Sequence, residues 1–541
     1  MNATALWDSM WRVHDKTKQL LLFAIPGSTE KAAAGRKTNQ SIEPEPRSYK
    51  RGQLIGLILG PLLFLLSVLF FSPEELSSEG RMVFAITLWV ATWWITEAIP
   101  IPATSLLPII LLPITSALPM DEVTASYGNP IVFLFLGGFM IALAMEKWNL
   151  HKRIALNIIS VVGTSTSNIV LGFMIATGFL SMWVSNTAAV MMMIPIGTAI
   201  TYQVSQALKG SSKDLAAEEE KFSKVLIFAI GYAGTIGGLG TLIGTPPNII
   251  LAGIVSELYG VQISFGSWML FAVPVVILLL FSTWFYLVKV AHPMKIKEIP
   301  GGKELIRNEK SALGRMSFEE KAVSIIFIFA AFMWISQTFL WKGIIPGIDD
   351  TMVAITAGVI FFLIPAKKKG ERLLDWSVAK DIPWGILLLF GGGLAIAGGF
   401  SSTGLAEWLG NQLKVLDGVH FLIMIIVVTT FVLFLTEITS NTATATMILP
   451  VLASLAVAIN VHPYAIMVPA AMAANCAFML PVGTPPNAII FATGKLKITE
   501  MVKHGFWVNI FCVILIVGAV YLLLPVLWGV DLQVFPDAFK S

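Results

Sequence analysis

The chain alternates between long apolar runs and short polar loops, and this pattern predicts a protein built almost entirely of membrane-spanning helices. A run of about 18 or more apolar residues favours a spanning helix, because in a bilayer the backbone polar groups must hydrogen-bond within the segment. Apolar runs of about this length without a polar interruption lie at 53–71, 82–99, 102–117, 129–145, 264–291, 322–340, 350–365, 382–400 and 505–527.

Four further apolar stretches are interrupted by a polar cluster, which predicts helices that do not cross the membrane in one piece. We interpret 166–204 and 418–459 as re-entrant hairpins that enter and leave on the same side. The stretches 225–257 and 463–492 are interpreted as helices that cross the membrane but break at the cluster. The predicted fold is an all-α polytopic membrane protein with about 11 transmembrane helices.

The basic residues of the loops predict how the chain is inserted. Nine lysines and arginines precede residue 52 and eight lie in 289–321, whereas the loops at 118–128 and 258–263 contain none. Because basic loops tend to stay in the cytoplasm, we predict a cytoplasmic N-terminus and an extracellular C-terminus. This orientation requires an odd number of crossings in a multi-pass protein of the cytoplasmic membrane.

Two motifs recur in the same order and predict an internal repeat. Ser-Asn-Thr occurs at 185–187 and 440–442, and Gly-Thr-Pro-Pro-Asn follows at 244–248 and 483–487. Each predicted half has an odd number of crossings, so the second half enters the membrane upside down relative to the first. This arrangement is an inverted-topology repeat, which is typical of secondary transporters.

A glycine pair upstream of each Ser-Asn-Thr motif strengthens the repeat. Gly137 lies 49 positions before Asn186, and Gly392 lies 49 positions before Asn441. The predicted segments are a cytoplasmic N-terminal tail (1–52), a first transmembrane helix with its loop (53–81), a first inverted repeat (82–291), a cytoplasmic linker (292–321) and a second inverted repeat (322–541).

The composition agrees with a chain whose solvent is lipid. Hydrophobic residues make up 56% of the chain and charged residues 13%, whereas soluble domains average roughly 25% charged residues. The two cysteines, Cys476 and Cys512, lie in apolar stretches and provide no metal-binding pair. The sequence has no HExxH, GxSxG or GxxxxGK[ST] motif. We therefore predict a transporter rather than an enzyme, with no organic cofactor and no nucleic-acid partner.

The polar clusters suit the binding of small ions. A break between two half-helices frees backbone carbonyl groups, which are ligands for a hard cation. It also exposes the N–H groups at a helix start, which favour an anion. The clusters lie within 154–208, 225–288 and 415–494, which contain no lysine or arginine. An anionic substrate would therefore lack a fixed positive partner, and co-bound sodium would supply the missing charge.

One acidic residue lies inside the second predicted hairpin. Glu437 follows Thr436, whereas the matching position of the first hairpin is Met182. Two hypotheses remain for this carboxyl group: it carries a proton or a sodium ion, or it pairs with a neighbouring polar group. The first hypothesis would favour a sodium/proton antiporter.

The paired motifs, each preceded by an FLGG-like helix, resemble those of the divalent anion/sodium symporter family, and in particular the bacterial sodium-dependent dicarboxylate transporters. The resemblance extends from about residue 50 to the C-terminus. It implies a homodimer in the lipid bilayer, with a scaffold domain and a transport domain that moves as an elevator. It also implies the import of C4-dicarboxylates such as succinate, malate and fumarate, with sodium as the coupling ion.

The resemblance further implies a set of binding residues. One sodium site would use Ser181, Ser185, Asn186 and Gly244, and the other would use Thr436, Thr439, Asn441 and Gly483. The dicarboxylate would be held by Asn186, Thr187, Thr245, Ser440, Asn441, Thr442, Thr484 and Pro485. Sodium-independent dicarboxylate exchange and citrate or sulfate transport are open alternatives on the same scaffold, and the sodium/proton antiporter is a more distant one.

Overall fold

Helices joined by short loops make up the part of the chain that the structure describes. This part of the computed structural model covers residues 51–163, 165–207, 213–294, 302–341, 343–416 and 418–539, and it contains no β-strand. The predicted N-terminal tail (1–52) lies outside these residues except for its last two positions. Part of the predicted linker (292–321) also lies outside them.

The first half of the described chain contains twelve α-helices, several of them separated only by a proline or a short polar loop. They are α1 (Arg51–Phe70), α2 (Ser78–Thr96), α3 (Ile101–Thr104), α4 (Leu107–Ile114), α5 (Met120–Tyr127), α6 (Pro130–Lys147), α7 (Leu150–Val162), α8 (Thr166–Ser181), α9 (Asn186–Ala207), α10 (Lys213–Gly237), α11 (Pro246–Tyr259) and α12 (Phe265–Phe285). The predicted run 102–117 is divided between α3 and α4, because Pro108 favours a new helix start near Leu107.

The second half of the described chain contains eleven α-helices. It consists of α13 (Gly302–Ala312), α14 (Phe318–Ser336), α15 (Asp350–Leu363), α16 (Trp384–Ser402), α17 (Leu405–Leu413), α18 (Phe421–Thr436), α19 (Asn441–Ala458), α20 (Pro463–Asn475), α21 (Pro485–Ala492), α22 (Ile498–Leu522) and α23 (Leu524–Trp528). The start of α14 is fixed by a capping box, in which the Ser317 side chain and the Glu320 side chain each bind a backbone N–H group of the other residue.

Each of the four interrupted apolar stretches forms two helices, and each break falls at the predicted polar cluster. The breaks lie at 182–185 between α8 and α9, and at 437–440 between α18 and α19. The other two lie at 238–245 between α10 and α11, and at 476–484 between α20 and α21. The predicted positions of the breaks are therefore confirmed.

The helix lengths agree with a polytopic membrane protein. Among the described residues, eight helical segments are long and apolar enough to cross a membrane, and shorter apolar helices accompany them. The first arm of each predicted hairpin, α8 or α18, has 16 residues, whereas about 20 are needed to span the hydrocarbon core. The second arms, α9 and α19, are among the eight longer segments. The all-α polytopic fold is confirmed, and the figure of about 11 crossings stays a prediction.

Two glycines join the halves through reciprocal contacts. A Cβ atom on Gly137 of α6 would lie 2.6 Å from the Cβ of Ala354, which belongs to α15 of the other half. A Cβ atom on Gly392 of α16 would lie 2.5 Å from the carbonyl oxygen of Ser105, next to α3 of the first half. Such small residues allow close helix packing in membranes. The helices α6 and α16, which carry the glycine pairs, are thus each packed against the opposite half.

Candidate functional site

The first group of converging oxygen atoms lies where the tip of the first hairpin meets the break between α10 and α11. The Ser181 hydroxyl is 2.6 Å from Asn186 Oδ1 and 2.5 Å from the carbonyl oxygen of Gly234. The position of Asn186 Oδ1, which the amide nitrogen takes if the amide is rotated, is 3.2 Å from the carbonyl oxygens of Gly234 and Gly244. We call these four groups, from Ser181, Asn186, Gly234 and Gly244, the first oxygen cluster.

The second hairpin and the break between α20 and α21 form the same arrangement. The Thr436 hydroxyl is 2.8 Å from Asn441 Oδ1 and 2.7 Å from the carbonyl oxygen of Ala474. The position of Asn441 Oδ1, which the amide nitrogen takes if the amide is rotated, is 3.3 Å from the carbonyl oxygens of Ala474 and Gly483. These four groups, from Thr436, Asn441, Ala474 and Gly483, are the second oxygen cluster.

Each cluster holds more acceptors than donors. A single hydroxyl hydrogen, from Ser181 or from Thr436, must serve two oxygen atoms. Two arrangements satisfy the surplus acceptors: the asparagine amide rotates so that its nitrogen donates, or a cation lies among the oxygens. Hydroxyl, amide and carbonyl oxygens are the ligand types that hard cations take, so each cluster fits sodium.

The broken helices keep their shape because an asparagine bridges each break. Asn248 Nδ2 donates to the carbonyl oxygens of Gly238 and Thr241 at 3.1 and 2.8 Å. Asn487 Nδ2 makes the equivalent bonds, to Ala477 at 3.1 Å and Leu480 at 3.0 Å. The last residue of each Gly-Thr-Pro-Pro-Asn motif therefore satisfies carbonyl groups of the segment that forms the break.

The prolines and glycines of the same motif set where the second half-helix begins. The helices α11 and α21 start at the first proline, which has no N–H group to lose at this position. A Cβ atom on Gly244 would lie 2.5 Å from the carbonyl oxygen of Gly238. Only glycine therefore allows the two sides of the first break to approach so closely.

One asparagine joins the two broken helices. Asn475 Oδ1 accepts a hydrogen bond from the Thr245 hydroxyl at 2.6 Å, and its Nδ2 donates to the carbonyl oxygen of Thr235 at 2.7 Å. Thr235 follows Gly234 of the first cluster, and Asn475 follows Ala474 of the second. The two oxygen clusters therefore lie beside each other, one from each half of the chain.

The hydroxyl groups of Ser185 and Thr439 have hydrogen-bond partners outside the clusters that they were predicted to complete. Ser185 Oγ accepts from the backbone N–H of Ala188 at 3.2 Å. Thr439 Oγ1 lies 2.8 Å from the carbonyl oxygen of Leu435 and 2.6 Å from the hydroxyl of Thr444. Both residues lie at the hairpin tips, and their assignment as sodium ligands stays a prediction.

The predicted substrate residues surround the starts of four helices. Asn186 and Thr187 begin α9, Asn441 and Thr442 begin α19, and all four are partly exposed. Ser440 is the residue before α19. Thr245 and Thr484 precede α11 and α21 in extended conformation and are buried, whereas Pro485 is exposed. The partly exposed hairpin tips and Pro485 are the surfaces that a small solute would reach.

Glu437 is buried beside the second break, with its side chain fully hydrogen-bonded. Its oxygen atoms accept from the backbone N–H groups of Phe478, Met479 and Leu480, at 2.7 to 3.2 Å. The Asn509 side chain donates to it at 2.7 Å. Glu437 thus pairs with polar neighbours, as one of the two hypotheses for it expected.

Sequence motifs alone did not indicate that the carbonyl groups of Gly234 and Ala474 belong to the clusters, and they did not indicate the bridge through Asn475. All three residues lie in the last turn of α10 or α20, just before the break. The available signal is general: the final carbonyl groups of a helix have no intrahelical partner. It identifies a turn of the helix and does not identify which oxygen atom faces the hairpin.

Together, the broken helices, the paired hairpins and the two clusters of converging oxygen atoms define a membrane transporter. The sequence profile described as the sodium:sulfate symporter transmembrane region matches residues 53–530, and the chain belongs to the divalent anion/sodium symporter family. The prediction of a transporter rather than an enzyme is confirmed by this membership.

Two curated relatives share more than half of the aligned residues with this chain. The chain is 59% identical over 495 residues to the sodium-dependent dicarboxylate transporter SdcS of Staphylococcus saprophyticus, a match that covers 91% of this chain and 95% of the relative. It is 57% identical over 491 residues to SdcS of Staphylococcus aureus strain bovine RF122 / ET3-1, covering 90% and 94%.

Solved structures of more distant proteins share the fold. The structure of MtrF from Neisseria gonorrhoeae matches with a TM-score of 0.54 at 12% identity, over 87% of this chain and 94% of that one. The YdaH transporter of Alcanivorax borkumensis matches with a TM-score of 0.51 at 11% identity, over 89% and 99%. At such identities the similarity concerns the fold alone.

Proposed function

We propose that the protein is a sodium-coupled symporter that imports C4-dicarboxylates such as succinate, malate and fumarate. The observation that carries this proposal is the duplicated cluster, in which a hydroxyl group, an asparagine amide and two backbone carbonyl oxygens converge in each half of the chain. Two cation sites of this kind, side by side, suit a transporter that couples a dianion to sodium. The names of the SdcS relatives agree with this chemistry.

The dicarboxylate site is proposed between the two hairpin tips. The helices α9 and α19 begin there, so their first N–H groups and the positive ends of their dipoles face the carboxylates. Thr187 and Thr442 add hydroxyl groups at the same starts. Since the segments 154–208, 225–288 and 415–494 contain no lysine or arginine, the remaining positive charge is assigned to sodium.

Uptake by purified protein in liposomes tests this function against its alternatives. We expect labelled succinate to accumulate when sodium is outside, and not when potassium or a proton gradient replaces the sodium gradient. Accumulation that is driven by internal succinate without sodium would indicate an exchanger. Sodium efflux that is driven by a proton gradient without succinate would indicate an antiporter, and competition by excess citrate or sulfate would indicate another anion.

We also propose an elevator movement between two conformations, because the contacts of the glycine pairs are asymmetric. Gly138 of α6 packs against Ile243, at the first break, with a Cβ position 3.1 Å from the isoleucine side chain. Gly393 of α16 packs instead against Thr446, which belongs to the second hairpin and not to a broken helix. The glycine pair of the first half therefore contacts the broken helix of that half, whereas the glycine pair of the second half contacts the hairpin of its half.

Inverted repeats generate the second conformation by exchanging these contacts. By the motif spacing, Ile243 corresponds to Val482 and Thr446 corresponds to Met191. Val482 is now 83% exposed and Met191 55% exposed, whereas Ile243 and Thr446 are buried. In the opposite conformation, Val482 would pack against Gly393 and Met191 against Gly138.

Cysteine labelling tests this exchange. In a background with Cys476→Ala and Cys512→Ala, we expect Val482→Cys to react with a maleimide and Ile243→Cys to react slowly in the present conformation. Any condition that lowers labelling of the first should raise labelling of the second, because one movement covers one position and uncovers the other.

A cross-linked variant provides the matched control. A disulfide between Gly138→Cys and Ile243→Cys, whose Cβ atoms would lie 3.3 Å apart, would hold the present conformation. Val482→Cys should then stay reactive under every ligand condition. After dithiothreitol has reduced the disulfide, the conditions that lower its labelling in the protein without the cross-link should lower it again. Labelling of the two positions that rises and falls together would contradict the exchange of contacts.

We propose that the N-terminus is cytoplasmic, the C-terminus extracellular and the protein a homodimer. Ion pairs support one shared side for the basic segments: Lys152 pairs with Glu309 at 3.3 Å and Arg153 with Glu320 at 2.9 Å. Lys147 also pairs with Asp375 at 2.6 Å. These contacts bring the end of α6 and the start of α7 to the 289–321 and 366–381 segments, which are rich in lysine and arginine.

A further inference from the structure

The two oxygen clusters have the same ligand types but different charges beside them. The residue after Thr436 of the second cluster is Glu437, and the residue after Ser181 of the first cluster is Met182. Both side chains are buried. The Met182 side chain lies against Gly240, with its Cε 2.9 Å from the position of a Cβ there. The repeat is therefore symmetric in its neutral oxygens and asymmetric in its fixed charge.

The hydrogen bonds of the Glu437 side chain favour the ionised form of its carboxyl group. All five recorded hydrogen bonds of its side chain come from donors: four from the backbone N–H groups at 478–480 and one from Asn509. Bonds from donors to a carboxylate favour its charged form. The backbone that forms the second break thus favours a negative charge on Glu437.

This carboxylate lies next to a ligand of the second cluster. A Cβ atom on Gly483 would be 3.3 Å from Glu437 Oε2 and 3.1 Å from the Glu437 carbonyl oxygen. Leu480, whose N–H group the carboxylate binds, accepts from the Gly483 N–H at 3.2 Å and from Asn487 at 3.0 Å. Glu437 therefore positions the loop that presents the Gly483 carbonyl, and its charge is close to that oxygen.

The first break is held without a charge. The Thr241 hydroxyl donates to the carbonyl oxygen of Met182, and the Gly244 N–H group donates to the carbonyl oxygen of Thr241 at 3.4 Å. Thr241 occupies the place that Leu480 has in the second break, because each lies three positions before the glycine of its motif. The neutral hydroxyl of Thr241 thus links the first hairpin to the first break, as the carboxylate of Glu437 links the second hairpin to the second break.

We propose that Glu437 is a positioning residue that makes the second oxygen cluster the stronger of the two sodium sites. The inference rests on the sodium symport proposed above. Sodium would occupy the second cluster without substrate, because the carboxylate supplies a negative charge there. The first cluster, which has neutral ligands only, would fill when the dicarboxylate adds its own negative charge nearby.

Sodium-dependent thermal stabilisation of the purified full chain, without substrate, tests this proposal. We expect the melting temperature to rise with sodium in the wild type, at ionic strength held constant with choline. Glu437→Gln should raise the sodium concentration for half of the effect about tenfold, since a unit charge within about 10 Å changes cation affinity by at least that factor at an effective dielectric of 20. The succinate concentration for half-maximal binding at saturating sodium should change much less.

The gain-of-charge variant Met182→Glu keeps the test decisive if Glu437→Gln does not fold. It places a carboxyl group beside the first cluster, so we expect sodium to stabilise it at lower concentrations than the wild type. A general loss of packing could not produce that gain. A folded Glu437→Gln with wild-type sodium dependence, or a folded Met182→Glu without the gain, would overturn the proposal. A wild type that does not respond to sodium, with or without succinate, would overturn the symport itself.

Discussion

Asn186→Ala and Asn441→Ala should each abolish sodium-driven succinate uptake and leave expression close to that of the wild type. Each asparagine places its side-chain amide in one cluster and starts the helix that faces the proposed substrate. A lost hydrogen bond to a charged group costs about 1.5–3 kcal/mol, and here one side chain is assigned to both ion and dianion. Uptake in proteoliposomes, with the amount of inserted protein measured, checks this expectation.

The chain offers a matched control for these variants. Asn411 is an exposed asparagine on α17, outside both clusters, so Asn411→Ala should transport at the wild-type rate. Folding is checked by the melting temperature in choline, where no sodium contributes. Normal uptake by either cluster variant would show that the oxygen clusters are not the ion sites.

The affinity for succinate should fall steeply when sodium is removed. Two unit charges about 4 Å apart interact by roughly 4 kcal/mol at an effective dielectric of 20. A helix terminus supplies only about half of a unit charge. Because the site segments contain no lysine or arginine, sodium would contribute most of the electrostatic attraction for the dianion.

Calorimetry in detergent measures this dependence directly. Succinate is titrated into the protein at rising sodium, with choline keeping the ionic strength constant, and the dissociation constant should decrease at each step. Linkage requires that succinate tighten sodium binding by the same factor, so the reverse titration is an internal control. Succinate binding of equal strength in choline would exclude the symporter and favour the sodium-independent exchanger.

The broken helices were predictable because their causes are local. Prolines at 246–247 and 485–486 remove N–H donors, and the polar tips at 185–187 and 440–442 interrupt runs that are otherwise apolar. All four breaks occur at these places. The convergence of Gly234 and Ala474 on the clusters was not predictable in this way, because they take part through carbonyl groups that every residue carries.

Glu437 shows the same division between local and tertiary causes. Its position in the chain identified an acidic group inside an apolar stretch and left open whether it carries an ion or pairs with a polar group. The decision depends on residues 41 to 72 positions away, the N–H groups that begin at Phe478 and the amide of Asn509. These partners depend on how α18, α20 and α22 pack against one another. The types of the individual residues do not determine that packing.

The amino-acid sequence by itself determined the helical membrane fold, the duplicated motifs and the places where helices break, since each follows from periodicity, hydropathy or backbone chemistry within a short segment. Only the tertiary structure decided which oxygens converge. The pairing of Thr245 with Asn475, 230 positions apart, and the placement of the two clusters side by side depend on the packing of one half against the other. Long-range packing decides them because a carbonyl group becomes a ligand only where its helix end meets a partner.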